Sequence, residues 1–339
     1  MNGTKRLATL FATVLIVIGI GALELQGFTN KKQQEGQSLL ATARKMSDIQ
    51  SQSGLPFVLQ AEITADPTDA IRRAAGVYTF DWVSKDKWRE QISFPDFSKV
   101  TVSSNSKIWH TSNFLYTPYL AFQVSRALSF YNRLKVVPKK EKIAAVSSQT
   151  WDGAPVKCVK IKPNQIFCFD TAKGYLVREQ NALWHSRYEY SDYSASGNTT
   201  FPHSINVFQG NLLALQIKVT NLGMNPAMNA TMFLRPKGPN LYYTVSCKNK
   251  GSAAAKRLHT VLPSYPEDAR QKRVEGVVAL YADIGRDGLV RGLTLLQPVD
   301  QDLVQAAIQA ISQWRYRPTA CGGLPVDVST AINVNFTFQ

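Results

Sequence analysis

Cys158 and Cys168 are the residues whose type and spacing most directly imply chemistry. They lie in VKCVKIKPNQIFCFD, where two apolar-alternating runs flank the turn residues Lys162-Pro163-Asn164-Gln165. That pattern predicts a β-hairpin with one cysteine on each arm. Nine intervening residues allow the two thiols to be cross-strand neighbours, and an oxidising compartment favours a disulfide between them. Cys247 and Cys321 are distant in sequence; a bond between them would tie the interdomain linker to a C-terminal loop. There is no CxxC and no His beside any Cys, so metal ligation is not expected. The histidines His110, His185, His203 and His259 fall at no metal-ligand spacing, and HExxH, GxSxG and P-loop motifs are absent. His185 follows Trp184 in an aromatic run and reads as a surface or satisfied histidine. Glu267-Asp268 sits at a helix N-terminus, where the helix dipole already accounts for the two carboxylates. No enzymatic activity, metal or cofactor is expected.

The elements that would position these residues belong to a chain of 339 residues, 44% apolar, 10% aromatic and 19% charged. That length suggests two domains, and the composition excludes a largely disordered chain. One apolar run alone approaches membrane-spanning length, which excludes a multi-pass membrane protein. Lys and Arg number 39 against 24 Asp and Glu, a net charge of +15. From Gly251 onward there are nine basic and eight acidic residues, so the first 250 residues hold +14. Such a field favours anionic partners such as lipid headgroups or acidic polysaccharide. The absence of a long Lys/Arg stripe argues against nucleic acid.

Residues 1–29 have the layout of an export signal: Lys5 and Arg6, then an apolar run from Leu7 to Leu23, with Ile20-Gly21-Ala22 before a cut. The run is at the lower limit for a spanning helix, so an uncleaved inner-membrane anchor is the alternative. No Cys lies near the run, so it offers no bacterial lipoprotein acylation site. The bulk of the chain is thus expected in the periplasm, free or anchored facing it.

Residues 35–52 show helical spacing of Leu39, Leu40, Ala43, Met46 and Ile49. From residue 57 short runs of period two follow one another, broken by a helical stretch at 120–135, and they predict one meandering antiparallel sheet. The aromatic residues Trp82, Phe94, Trp109 and Phe122 read as core. The Asn-, Pro- and Gly-rich stretch after Met224 marks a boundary. The expected organisation is therefore 30–235, a linker at 236–257, and a compact unit at 258–339. In that unit a short helix after Pro266 precedes β-β-α-β order. Arg286-Asp287-Gly288 forms the hairpin turn, Asp300 or Asp302 caps the helix, and Pro318 ends it.

The last unit resembles the C-terminal domain of the TonB energy-transducer family. The residues that carry the resemblance are Tyr265-Pro266, Ala269-Arg270, Gly276, Val278, Asp287-Gly288, Trp314-Arg315-Tyr316-Arg317-Pro318, Gly323, Pro325-Val326 and Phe336. Trp314 and Phe336 read as core aromatics, and Arg315 and Arg317 as solvated or paired. The resemblance implies a periplasmic domain that binds a short receptor peptide as an added strand, a mode in which main-chain hydrogen bonds supply affinity. By that analogy the docking edge is the last strand, Ala331 to Phe338, with Ala331, Asn333, Asn335 and Thr337 as partner-binding residues. The chain lacks the Pro-rich spacer of a working transducer, and Leu7–Leu23 holds no His or charge. The domain therefore reads as a recognition module, with a membrane-anchored transducer and a purely structural envelope protein as alternatives.

The first domain resembles the LolA/LolB lipoprotein-carrier fold, in its N-terminal helix, GVYTFDWVSKDKWREQISFPDF, FPHSINVF, LQIKVTNLGMNP and Phe233. The resemblance implies an antiparallel half-barrel around helices, with an apolar pocket for a lipid or acylated ligand. The fold class expected overall is α+β: an antiparallel half-barrel sheet with helices, followed by a small TonB-like domain. The partners expected are an envelope protein or receptor peptide and a lipid.

Overall fold

The computed structural model describes residues 31–46, 49, 55–65, 75–129, 142–161, 165–196, 199–224, 226–245 and 255–338. The expected signal at 1–29 lies outside them. Among the described residues no helix is long and apolar enough to cross a membrane.

The first helix, α1, covers 31–46. Five strands then form a meander: β1 (Phe57–Ala65), β2 (Ala75–Ser84), β3 (Lys87–Phe94), β4 (Phe97–Ser104) and β5 (Lys107–Ser112). Helix α2 (Tyr119–Leu128) leads to a second meander, β6 (Ile143–Trp151), β7 (Ala154–Ile161), β8 (Gln165–Asp170), β9 (Leu176–Asn181), β10 (Ser186–Ser196), β11 (Thr199–Gln209) and β12 (Leu212–Met224). A short strand β13 (Tyr242–Thr244) follows a 3-10 turn at Ala230–Phe233. All thirteen strands make one sheet, ordered β13-β5-β4-β3-β2-β1-β12-β11-β10-β9-β8-β7-β6. The two meanders meet where β1 pairs antiparallel with β12, and β13 adds to β5 at one edge. Residues 236–257, read as a linker, thus contribute a strand to the large sheet.

Alternation sets the faces. In FVLQAEITA the residues Phe57, Leu59, Ala61, Ile63 and Ala65 are buried and the intervening ones are not. The inward residues of β1–β3 and of β7, β8 and β10–β12 share one core with Leu40 and Ala43 of α1 and Leu120, Ala121, Val124 and Ala127 of α2. The sheet therefore wraps around both helices. Register shifts at Gln60/Ala61 and Val207/Phe208 supply bulges that help it bend. Trp82 and Phe94 are buried in this core, as expected. Cys158 lies directly opposite Cys168 in the β7–β8 pair, and the two form a disulfide with Cα atoms 4.0 Å apart. Cys321 is disulfide-bonded; Cys247 lies outside the described residues.

The C-terminal unit holds β14 (Lys256–His259), α3 (Glu267–Gln271), β15 (Gly276–Ile284), β16 (Val290–Leu295), α4 (Gln301–Ile311), β17 (Arg315–Arg317), β18 (Thr319–Cys321), β19 (Leu324–Val326) and β20 (Val328–Phe336). Its sheet has the order β16-β15-β20, and β14 pairs separately with β17. Asp300 caps α4 by accepting from the backbone N–H groups of Asp302 at 3.0 Å and Leu303 at 3.3 Å. The helix packs Leu303, Val304, Ala307 and Ile311 against Val278, Leu280 and Ala282 of β15. Trp314 is buried and donates from Nε1 to the Val261 carbonyl at 2.8 Å. The hairpin turn is held by Gly288 at φ 78°. A Cβ there would lie 2.0 Å from the Tyr316 carbonyl oxygen. We expect Gly288→Ala to lower stability by about 2–4 kcal/mol, from positive φ and overlap together. Urea unfolding checks this, and a loss below about 0.5 kcal/mol would contradict it.

Candidate functional site

The strand β15 is buried along nearly its whole length on both faces. Even-numbered Val278, Leu280 and Ala282 face α4, so odd-numbered Ala279, Tyr281 and Asp283 face the opposite way. That second face is covered by the large sheet and α2. Tyr281, fully buried, meets Tyr119 at 5.0 Å and Phe122 at 5.4 Å between ring centroids, with Trp184 at 6.1 Å. Leu296 and Ala279 complete this cluster.

Polar contacts rim the aromatic cluster. The Tyr281 hydroxyl donates to the Thr117 carbonyl at 2.8 Å and lies 3.0 Å from Ser329 Oγ. Asp283 is 3% exposed; it accepts from the Thr117 N–H at 2.9 Å and from Ser329 Oγ at 3.1 Å. Burial raises its carboxyl pKa above the ordinary value, against the lowering effect of the Thr117 bond. Gln209 donates from Nε2 to the Leu296 and Trp184 carbonyls while its Oε1 accepts from the Tyr119 hydroxyl. At the other end of the junction Tyr242 donates to Asp327 at 2.6 Å, lies under the Arg286 guanidinium at 3.8 Å and stacks on His110 at 4.7 Å. The C-terminal sheet is thereby fixed to the large one.

The docked arrangement leaves β20 as an edge strand, paired only with β15 among the described residues. Register places Ala331 opposite Tyr281, Asn333 opposite Ala279 and Asn335 opposite Val277. Those three share one face of β20. Ala331 packs against the interdomain cluster, whereas Asn333 and Asn335 are exposed. Thr337 is exposed and lies beyond the last residue of the strand, Phe336. A cavity of about 500 Å³ borders β20. Its walls include the consecutive residues Thr330, Ala331, Ile332 and Asn333 on one side and Arg257, Trp314 and Tyr316 on the other. Successive strand side chains point to opposite faces. A cavity touching four in a row therefore runs along the backbone edge, where unpaired main-chain groups lie. β20 carries no Pro and no charged residue that would block pairing there.

Sequence reasoning located β20 but missed β14 and β17 across the slot. The alternation of Arg315, buried Tyr316 and Arg317 was the available signal.

The concave face of the large sheet is occupied. Within it α2 makes internal polar contacts: Tyr188 donates to Gln123, Arg126 pairs with the buried Glu179 at 3.0 Å, and Ser125 donates to Glu90 at 3.2 Å. Phe122 belongs to the junction cluster. Trp109 lies between Tyr243, Arg235 and Lys107 at the β13 edge, half-buried, rather than in the core expected of it. An apolar cavity of about 750 Å³ opens at the junction, between Leu120, Leu212 and Ala214 of the large-sheet unit and Leu295, Pro298 and Val299 of the C-terminal unit. Among the described residues no group of three or more His, Cys, Asp or Glu is placed to hold a metal ion.

Residues 261–338 match the family model for the Gram-negative bacterial TonB protein C-terminal region. No curated protein matches the chain. Among solved structures, a domain of an outer membrane lipoprotein-sorting protein from Vibrio parahaemolyticus is 10% identical. It covers 61% of this chain and 97% of its own, with a TM-score of 0.40. A LolA superfamily protein from Nitrosomonas europaea is 8% identical over 58% of this chain and 96% of its own, with a TM-score of 0.38.

Two outcomes test the junction. Tyr281→Ala should cost about 3–5 kcal/mol and Tyr281→Phe about 1–2 kcal/mol, read by urea unfolding; equal losses would contradict the packing role. His110 is half-buried, with its Nε2 3.0 Å from Thr244 Oγ1, and desolvation lowers its pKa to about 4. The unfolded chain binds that proton near the ordinary 6.5. The folded chain then binds fewer protons between the two values, so stability is lost as pH falls from about 6.5 towards 4. We expect His110→Gln to remove a few kcal/mol of that pH dependence, and an unchanged pH profile would contradict the assignment.

Proposed function

We propose that this protein is an exported envelope adaptor whose C-terminal unit, 258–339, binds an extended segment of a partner protein along the edge of β20. The slot beside Thr330–Asn333 carries this reading, because it leaves room where an added strand would pair. The family match over 261–338 supports it, since strand addition to a receptor peptide is what the TonB resemblance implies. Asn333 and Asn335 then flank the added strand, Ala331 helps seat β20 on the large sheet, and Thr337 meets the end of the partner segment. The unit at 30–235 serves as a rigid mount, joined through 236–257, and residues 1–29 direct or anchor the chain to the periplasmic side of the inner membrane. A Cys247–Cys321 bond would fasten the joining segment beside β18.

A photo-crosslinking residue at Asn333, compared with one at Lys218, an exposed residue of β12, tests the reading in cells. The expected result is an adduct at Asn333 that maps to one short segment of one envelope protein, with none at Lys218. Equal labelling at both positions, or no segment-specific adduct at Asn333, would overturn it.

The junction cavity favours a second, compatible activity, binding of an apolar chain such as an acyl group between Leu212 and Val299. Its volume lies in the range of ordinary ligand sites. Native mass spectrometry of gently purified protein should show a bound lipid mass that Ala214→Trp removes. A ligand-free wild type would contradict this activity.

A further inference from the structure

The ribbon of β14 and β17 is cationic in a way that the rest of the C-terminal unit is not. Basic residues exceed acidic ones by only one from Gly251 onward. Yet Lys256, Arg257, Arg315 and Arg317 all fall on these two short strands, and all four are exposed. Register sets Lys256 directly opposite Arg317. Like charges placed opposite each other on an antiparallel pair are destabilising. The ion pairs of the unit among the described residues are Arg270 with Glu267 and Arg291 with Asp287, and neither involves the ribbon. Among the described residues, therefore, no ion pair offsets this charge. Arg257 also lies over the Trp314 ring at 5.4 Å and forms part of the wall of the β20 slot. The opposite wall, β20, has no charge of its own.

We propose that the segment entering this slot is acidic, and that the ribbon of Lys256, Arg257, Arg315 and Arg317 selects it by pairing with its carboxylates. The inference rests on the strand-addition reading and adds the chemistry of the partner. Main-chain pairing with β20 is indifferent to sequence, so discrimination must come from side chains at the walls. Guanidinium groups pair carboxylates through two parallel hydrogen bonds, which adds geometry to charge. Because the ribbon is exposed, the pairing governs selectivity and association rate more than total affinity, and added salt weakens it.

The test is selection of a random 12-residue peptide display library on the full chain and on the K256E/R317E variant, whose substitutions are at exposed positions. Binding of the best peptide is then compared with that of a version in which Asp and Glu become Asn and Gln. Backbone hydrogen exchange at 328–336 reports strand addition separately. Peptides selected on the wild type should be acidic, protect 328–336 and bind about tenfold more weakly once amidated. The variant should lose that difference. Peptides that protect 328–336 with no acidic bias and no effect of amidation would overturn the charge selection and leave strand addition standing. Selected peptides that leave 328–336 unprotected would overturn both.

Discussion

Everything else in the arrangement depends on Tyr281 sitting among Tyr119, Phe122 and Trp184. A three-stranded sheet covered by one helix has a bare second face. Here the large sheet and α2 cover it, with Tyr281 and Leu296 fully buried. Aromatic clusters of this kind gain from both area and ring geometry. The polar groups this burial strands are satisfied across the junction through Thr117 and Gln209, and within the C-terminal unit through Ser329. An unmade partner at such a site would cost more than the bond contributes.

One consequence concerns which surfaces remain for function. The covered face cannot bind anything while the two units are docked, and the α4 face is core. What remains of the small sheet is its two edges, β16 and β20, and among them β20 has the slot beside it. Ala331 shows the division within one strand: it packs inward against the junction, two residues before exposed Asn333.

Much of this was legible in the sequence, and the reasons for the gaps are physical. Period-two runs placed the strands of the large sheet, since one face of each is buried and the other wet. The paired cysteines of the hairpin arms, the Asp287-Gly288 turn and the core role of Trp314 followed from local chemistry that tertiary structure does not override, and the cap left open between Asp300 and Asp302 is Asp300. The helix expected over 35–52 is already formed at Lys31, the first described residue, and the helix expected over 120–135 is Tyr119–Leu128. For β15 the alternation of Val278, Leu280 and Ala282 marks one buried face, but nothing in that alternation marks Ala279 and Tyr281 as a second one. A strand covered on both sides reads as a continuous apolar run, and GVVALYADI is one. The slot itself could not be read, because β14 and β20 are about 70 residues apart and no periodicity links them.

The central claim is that docking on the large sheet leaves the β20 edge free to accept a strand. Native-state backbone hydrogen exchange of the full chain, without partner, tests it most directly. The account predicts slow exchange throughout β15 and alternating slow and fast exchange along Val328–Phe336, because every second amide of an edge strand points away from its neighbour. Uniformly slow exchange along β20 would mean that the edge is already covered, and would contradict the account.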